Sequence, residues 1–414
     1  MYRLSSSNSF ARMSLLLFVF CQSFAAGVQD LDFQGYLTQF GKVYNDPEEY
    51  TMRRVLFEQR KAQLQAVNEA GTWQAGFNHL TDATPQELQK SFGYRKELRN
   101  AAQGQSFTAA SKSLRTRKKN SLPESVDWRK QNPAVVSPVK SQGGCGSCWA
   151  FAASSVIESH VAINTGLLLT LSPQEMTSCT PNPNSCGGEG GCSGATTQLA
   201  FAYAIESGGV SDIWHDPYLS GLKFESMQCN NHTKMWTPRS ASITGFVDLP
   251  HNDAEALMEA VATVGPVSVS VDASNWWMYA GGIYDSCNHT APNINHAVVL
   301  DGYGVENGTA YWLIRNSWGS NFGEQGYIRL RRYDNEPCGT DPAPFEGVAC
   351  KGDGPKSIWA CGECGVLSDS SYPTGADLGA KRRLSETSGQ PADFGIQHPV
   401  QGREDLTASA GVHI

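Results

Sequence analysis

The sequence predicts an α+β chain, with helices gathered in its first half and short apolar strands in its second. Three observations carry that expectation. Residues 31–68 place apolar side chains at helical spacing, the apolar run 149–163 follows a glycine-rich turn, and 297–300 and 311–314 are short apolar runs bounded by turn residues. The chain has 414 residues, 40% of them hydrophobic, which allows two or three structural units. A formal net charge of -8 argues against a nucleic-acid footprint. Twelve cysteines without repeated Cys/His metal spacing point to an oxidising compartment.

Residues 1–27 account for that compartment. Arg3 and Arg12 precede the apolar stretch 15–20, and the small residues Ala25, Ala26 and Gly27 follow it. A positive start, a short apolar core and a cleavage-like end read as a secretory signal, with an uncleaved anchor as the alternative. No other run approaches the length needed to span a membrane.

The next unit, 28–98, is helical. Phe33, Tyr36, Leu37 and Phe40 form one apolar face, and Asp46-Pro47 is a cap followed by a first-turn proline. Glu49, Arg53, Phe57, Arg60, Leu64 and Asn68 then share one stripe of a second helix. Residues 99–121 lose all periodicity, carry the basic cluster Arg115, Arg117, Lys118 and Lys119, and read as a linker. The cluster is either a solvated charge run or a processing site.

The helix from Trp149 follows Gln142-Gly-Gly-Cys145-Gly-Ser-Cys148, with Ser147 as its expected N-cap and one side apolar or small. Cys148 in the first turn would feel unpaired N–H groups and the positive helix end, which can lower a thiol pKa to roughly 3.5–7.5. The spacing therefore describes a reactive sulfur, against the plainer reading of a disulfide or core cysteine. Such a thiolate needs a proton partner. Most of the nine histidines sit in loop contexts, His79 lies in the N-terminal unit, and His160 is three turns along the same helix as Cys148. His296 opens the apolar strand 297–300, which is expected to end in a turn at Asp301-Gly302-Tyr303-Gly304.

Cys145-Gly-Ser-Cys148-Trp149 resembles the active-site signature of papain-like cysteine proteases. Asn295-His296-Ala297 and Asn316-Ser317-Trp318-Gly319 resemble that family's histidine and asparagine segments. The stripe on the second helix resembles the ERFNIN pattern of cathepsin L-like propeptides, with Arg60 and Leu64 as departures. Gly76, Asn78, Leu80 and Asp82 resemble the GNFD motif, with Leu80 for phenylalanine.

The resemblance implies a papain-like fold over residues 122–376, a helical lobe packed against a β-barrel-like lobe, preceded by an inhibitory propeptide that lies across the cleft. It implies Cys148 as nucleophile, His296 as its proton partner, Asn316 as the group orienting the imidazole, Gln142 as an oxyanion donor and Trp318 as a shield over the His–Asn bond. Gly194-Ala195 stands where relatives have a Gly-Gly pair that docks the substrate backbone. Matching motif to motif places Thr196, Thr197, Ser270, Ile294, Ala297 and Asp369 around the pocket for the second side chain upstream of the cut, with Asp369 at its base. The implied disulfides are Cys145–Cys192, Cys179–Cys229 and Cys287–Cys364. Cys186, Cys338, Cys350 and Cys361 stay unassigned, two of them in an apparent insertion at 334–359.

Cys361-Gly-Glu-Cys364 lacks the second pair that a zinc site needs, so no metal or cofactor is expected. Asn231, Asn288 and Asn307 open glycosylation sequons, and residues 377–414 read as a polar extension. With no histidine-bearing insertion of the cathepsin B kind, the reading is a monomeric secretory-pathway endopeptidase made as a zymogen. It would act on proteins and peptides in a lysosome-like or digestive vacuole or outside the cell. A papain-like peptide-binding protein without turnover is the alternative.

Overall fold

The computed structural model describes residues 31–93, 122–229, 239–352 and 354–379. The signal at 1–27, the linker at 99–121, Asn231 and residues 380–414 lie outside them. Among the described residues no helix is long and apolar enough to cross a membrane.

The N-terminal unit forms as its periodicity requires. Helix α1 (Phe33–Phe40) is capped by Asp32, and α2 (Pro47–Ala70) by Asp46 ahead of its first-turn proline. Phe33, Tyr36 and Leu37 pack on Phe57 in a small aromatic core of their own. The α2 stripe is buried at Arg53, Phe57, Arg60 and Leu64, because it faces the loop 76–82. Asp82 collects that loop: it accepts from the Tyr36 hydroxyl at 3.0 Å and from Tyr44, and pairs with Lys42. Helix α3 (Pro85–Lys90) closes the unit with a complete capping box between Thr84 and Glu87.

The rest of the chain divides into a helical side and a sheet side. The helical side is built on α4 (Cys148–Thr165), α5 (Pro173–Cys179) and α6 (Thr197–Glu206). On the other side, β4 (Gly245–Asp248), β5 (Val267–Val271), β6 (Tyr279–Tyr284), β7 (His296–Glu306), β8 (Thr309–Arg315), β9 (Tyr327–Arg331) and β12 (Ser370–Thr374) share one sheet. Its order runs β6-β9-β8-β7-β5-β12-β4, with β2 (Val126–Asp127) added on β7. The outer edge of β6 is taken by β1 (Trp73–Ala75) of the N-terminal unit, pairing antiparallel from Trp73↔Gly282 to Ala75↔Tyr279. The N-terminal unit thus docks by extending the sheet, which satisfies an edge that would otherwise be open.

Three expectations change. Helix α4 is buried around its whole circumference from Cys148 to Ala162, because α5, α6 and the sheet enclose it. Asp301-Gly302-Tyr303-Gly304 does not turn: β7 continues through a bulge to Glu306, held by the buried Asp301–Arg315 ion pair and by β2 pairing at Tyr303 and Gly302. The polar extension begins later than 377, since β13 (Asp377–Leu378) pairs with β3 (Ala241–Ser242) and buries Leu378.

The disulfides Cys145–Cys192, Cys179–Cys229 and Cys287–Cys364 are all present. The four cysteines left unassigned by the resemblance form Cys338–Cys361 and Cys186–Cys350. Both sulfurs of the Cys361-x-x-Cys364 pair are therefore consumed.

Candidate active site

Cys148 begins α4 where the helical side meets the sheet, and His296 begins β7 opposite it. The backbone N–H of Ala297, next to His296, donates to Cys148 Sγ at 3.4 Å, which sets the thiol beside the imidazole's own strand. His296 Nε2 meets Asn316 Oδ1 at 2.8 Å, one residue past the end of β8. The orientation of that amide is fixed by Ser317, whose N–H donates to the same Oδ1 at 2.7 Å. A carbonyl oxygen only accepts, so Nε2 carries the proton and Nδ1, buried without a hydrogen-bond partner, is the basic nitrogen. Trp318 lies over the ring at 5.0 Å between centroids and keeps the His–Asn bond dry.

The N-terminal unit fills the groove between them. Gln142 Nε2 donates to the Ser91 carbonyl and to the Cys145 carbonyl, each at 2.9 Å, while its Oε1 accepts from Ser317 Oγ at 2.6 Å. Trp318 Nε1 also points at the Ser91 carbonyl, at 3.4 Å. Phe92 packs its ring against Trp318 and His296. Gly93 donates to the Asn295 carbonyl at 3.0 Å and then runs over Gly194, where φ is +91° and a Cβ would fall 1.3 Å from the Gly93 oxygen. Only glycine at 194 admits a peptide that close. Ala195 is buried behind it, so its methyl is accommodated.

Burial under this plug decides the charge state. Desolvation pushes the Cys148 thiol up to about 11, against the pull of the N–H groups of Ala297, Trp149 and Cys148 itself. Desolvation likewise brings His296 down to about 4, with the Asn316 bond opposing. The helix-end effect expected to make Cys148 a thiolate is thus outweighed in this state, and both groups are neutral. Ser147 precedes the helix but makes no capping bond to it; its hydroxyl is engaged by the Tyr218 hydroxyl at 2.7 Å.

Some of the residues expected around a side-chain pocket come together, with Ser270, Ala297 and Asp369 in contact. Ser270 pairs with Ala297 across β5 and β7, and its hydroxyl donates to Asp369 Oδ2 at 2.7 Å. Gln198 donates to Asp369 Oδ1 at 2.8 Å from the first turn of α6, next to Thr197, whose hydroxyl bonds Ser268. Thr196 caps α6, and Ile294 is buried two residues before His296. Of the set, only Asp369 keeps partial exposure.

Sequence reasoning missed several supports. Ser317, which holds Gln142, was visible inside the Asn316 segment. Ser91, Phe92 and Gly93 gave no pattern beyond following a capped helix. Glu158 was hidden by the apolar helix around it, yet it receives Lys140 Nζ at 2.7 Å and the Ser137 hydroxyl. Ser137 in turn receives Arg315 Nη1 at 3.0 Å, and Arg315 pairs with Asp301 on β7. This buried chain of polar groups ties the cysteine helix to the histidine strand.

A model of the papain family of cysteine proteases matches residues 122–348, and one of the cathepsin propeptide inhibitor domain matches residues 33–88. The chain belongs to the papain family of cysteine proteases. Cathepsin S of Mus musculus is 37% identical over 305 residues, covering 72% of this chain and 84% of its own. Cathepsin K of Mus musculus is 37% identical over 313 residues, covering 73% and 89%. Among solved structures, the recombinant stem bromelain precursor aligns with a TM-score of 0.64 at 30% identity, over 83% of this chain and 97% of its own. Digestive procathepsin L 3 of Tenebrio molitor larval midgut aligns with a TM-score of 0.61 at 28% identity, over 82% and 97%. The protease is therefore a cathepsin-like proenzyme, and its N-terminal unit is the inhibitory propeptide.

Two measurements follow from the charge state. With a thiol near 11, only about one Cys148 in 10⁴ is thiolate at pH 7, so an alkylating reagent should label the intact zymogen slowly and the processed form at least about 10²-fold faster. Equal rates would contradict the burial. His79 in the propeptide is held down to about 4 by desolvation and Lys42, with Asp82 opposing. A base whose folded value lies below its ordinary 6.5 leaves stability full above about 6.5 and drains it as pH falls toward 4, by up to about 3 kcal/mol. His79→Gln should therefore move the pH at which Cys148 of the uncleaved zymogen becomes labelled to a lower value.

Proposed function

We propose that this zymogen gives rise to a secretory-pathway endopeptidase that hydrolyses peptide bonds by acyl transfer through Cys148 and His296. The observation that carries the reading is the Gln142 amide holding a peptide carbonyl, that of Ser91, beside Cys148 and the Asn316-bound imidazole. Removal of the propeptide would return water to the groove and lower the cost of charging both groups. The Cys148 proton then passes to His296 Nδ1, and the thiolate attacks the peptide carbonyl carbon. The oxyanion so formed takes the position facing the Gln142 amide and the Cys148 N–H. His296 gives its proton to the departing amine, then accepts one from the water that hydrolyses the thioester. Asn316 orients the ring without adding negative charge, which suits a thiolate–imidazolium pair. No step calls for a metal or cofactor.

The zymogen's setting is read from its covalent features. Five disulfides among the described residues and the signal-like segment 1–27 support passage through the secretory pathway, toward a lysosome-like or digestive compartment or the outside. Asn288 and Asn307 are exposed, as glycan acceptors must be, and Asn231 completes the proposed set. The protease is taken to act as a monomer on protein and peptide substrates.

Acid incubation, N-terminal sequencing and a peptide assay test the reading together. The expected outcome is a new N-terminus between 94 and 126 and hydrolysis abolished in Cys148→Ala. Gln142→Ala should keep epoxide labelling of Cys148 but lose about 10²–10³ in turnover. A processed protein that is labelled yet leaves every peptide intact is a binding protein, and the proposal fails. For the second upstream side chain, Asp369→Ala should cost a basic residue about fivefold in kcat/KM and leave a leucine peptide nearly unchanged, as befits a partly solvated charge pair. Strict apolar selection indifferent to the substitution would remove Asp369 from the pocket.

A further inference from the structure

A second cavity lies just past the substrate groove, and nothing in the hydrolytic machinery uses it. The insertion begins in the sheet side as β10 (Cys338–Asp341), which pairs with β11 (Ile358–Cys361) and is closed by Cys338–Cys361. Between the two strands the chain crosses the groove. Gly347 lies flat on the Ile294 carbonyl, so close that a Cβ there would come within 1.9 Å of the oxygen. On its other side the Gly347 carbonyl abuts Gly187 of the helical side, 2.7 Å from where a Cβ would stand. Cys350 is then disulfide-bonded to Cys186, Gly187 N donates to the Ala349 carbonyl at 3.0 Å, and Lys351 N to the Asn184 carbonyl at 3.1 Å. A strap rooted beside His296 is thereby stitched to the wall that carries Gly194.

Between strap and wall is a cavity of about 290 Å³, lined by Gly188, Phe345, Cys350, Lys351, Pro355 and Lys356 among others. Its position relative to the groove is set by Gly188, which packs on Gly194 closely enough that a Cβ would fall 2.8 Å from the Gly194 Cα. The propeptide shows the path of a peptide up to that point, with Gly93 beside Cys148 and over Gly194. A peptide advances about 3.3 Å per residue and turns alternate side chains to opposite faces. If the first upstream residue sits at Cys148 and the second faces the Asp369 cluster, the third arrives at Gly188 and the mouth of this cavity. A ring, a proline, a disulfide and two lysine stems make its surface somewhat more apolar than polar, Ser185 and Glu189 add polar lining, and the Lys351 charge is engaged with Glu189 at 3.6 Å.

We propose that this strap-built cavity is a specificity subsite that receives an apolar, aromatic-sized side chain from the third substrate residue upstream of the cut bond. The inference rests on the hydrolytic reading above and adds a selecting surface to it. It depends on the Cys186–Cys350 link, because that bond and the three-residue pairing around it hold the strap against the opposite wall.

The test uses the processed enzyme, its active sites counted by epoxide titration, and a peptide series varied only at the third upstream position through glycine, alanine, leucine, phenylalanine, lysine and glutamate. The expected result is a kcat/KM at least about tenfold higher for phenylalanine than for glycine. Phe345→Ala, which leaves both links intact, and the double variant Cys186→Ser/Cys350→Ser should each shrink that ratio to below about threefold. A flat profile in the unaltered enzyme overturns the proposal. So does slowing with larger side chains, which would make the strap a wall, and so does a phenylalanine preference that survives both variants. If the titrated enzyme cleaves no peptide at all, the hydrolytic reading has failed and the subsite falls with it.

Discussion

The Gln142 amide grips the Ser91 carbonyl, the contact at the centre of the three propeptide residues that lie over Cys148 and His296. The acyl transfer proposed for this pair requires separated charge, and charge is what a dry pocket penalises. Raising the thiol from 9.0 to about 11 and lowering the imidazole from 6.5 to about 4 each corresponds to about 3 kcal/mol against the ionic form. The propeptide therefore acts in two ways, by occupying the groove and by keeping the Cys148 thiol protonated. The same groups become useful once the cover leaves, since their tautomer and orientation are already set by Asn316 and Ser317.

Holding that cover in place falls to contacts far from the sulfur. Strand β1 completes the edge of the sheet, Asn78 Nδ2 donates to the Trp277 carbonyl at 2.6 Å, and the Arg60 guanidinium lies 4.6 Å from the centre of the Trp277 ring. Asp82 makes its polar contacts within the propeptide, where it organises Tyr36, Tyr44 and Lys42 so that the docking loop keeps its shape. A half-buried histidine in that loop, His79, makes the hold sensitive to acid, whereas the hydrophobic core of the unit is indifferent to it.

Two sets of links fix the lobes against each other. The buried Glu158, Ser137, Arg315 and Asp301 chain joins α4, which begins at Cys148, to β7 and β8, and a lost partner there would strand a charge in a dry interior. Cys186–Cys350 joins the same lobes at a second place, beside Gly187 and Gly188. With the interface tied at both places, the relative placement of Cys148 and His296 is a property of the lobes as units.

Sequence alone determined a good deal here, because much of the site is written locally. The propeptide helices, the start of α4 at Cys148, the strand at His296, the Asn316 segment and three disulfide pairings follow from caps, periodicity and motif resemblance, each confined to a few neighbouring residues. The misreadings are the places where distant residues meet. Asp301-Gly302-Tyr303-Gly304 has turn chemistry, yet Arg315 and β2 keep it extended; Asp377 and Leu378 look like a tail, yet β3 pairs with them. Only the tertiary structure decided that the Cys148 thiol is neutral under its cover, that Ser91 answers Gln142, and that Cys350 reaches across the groove to Cys186. Desolvation, hydrogen-bond complementarity and long-range cross-links all depend on which surfaces are brought together, and no short window of sequence records that.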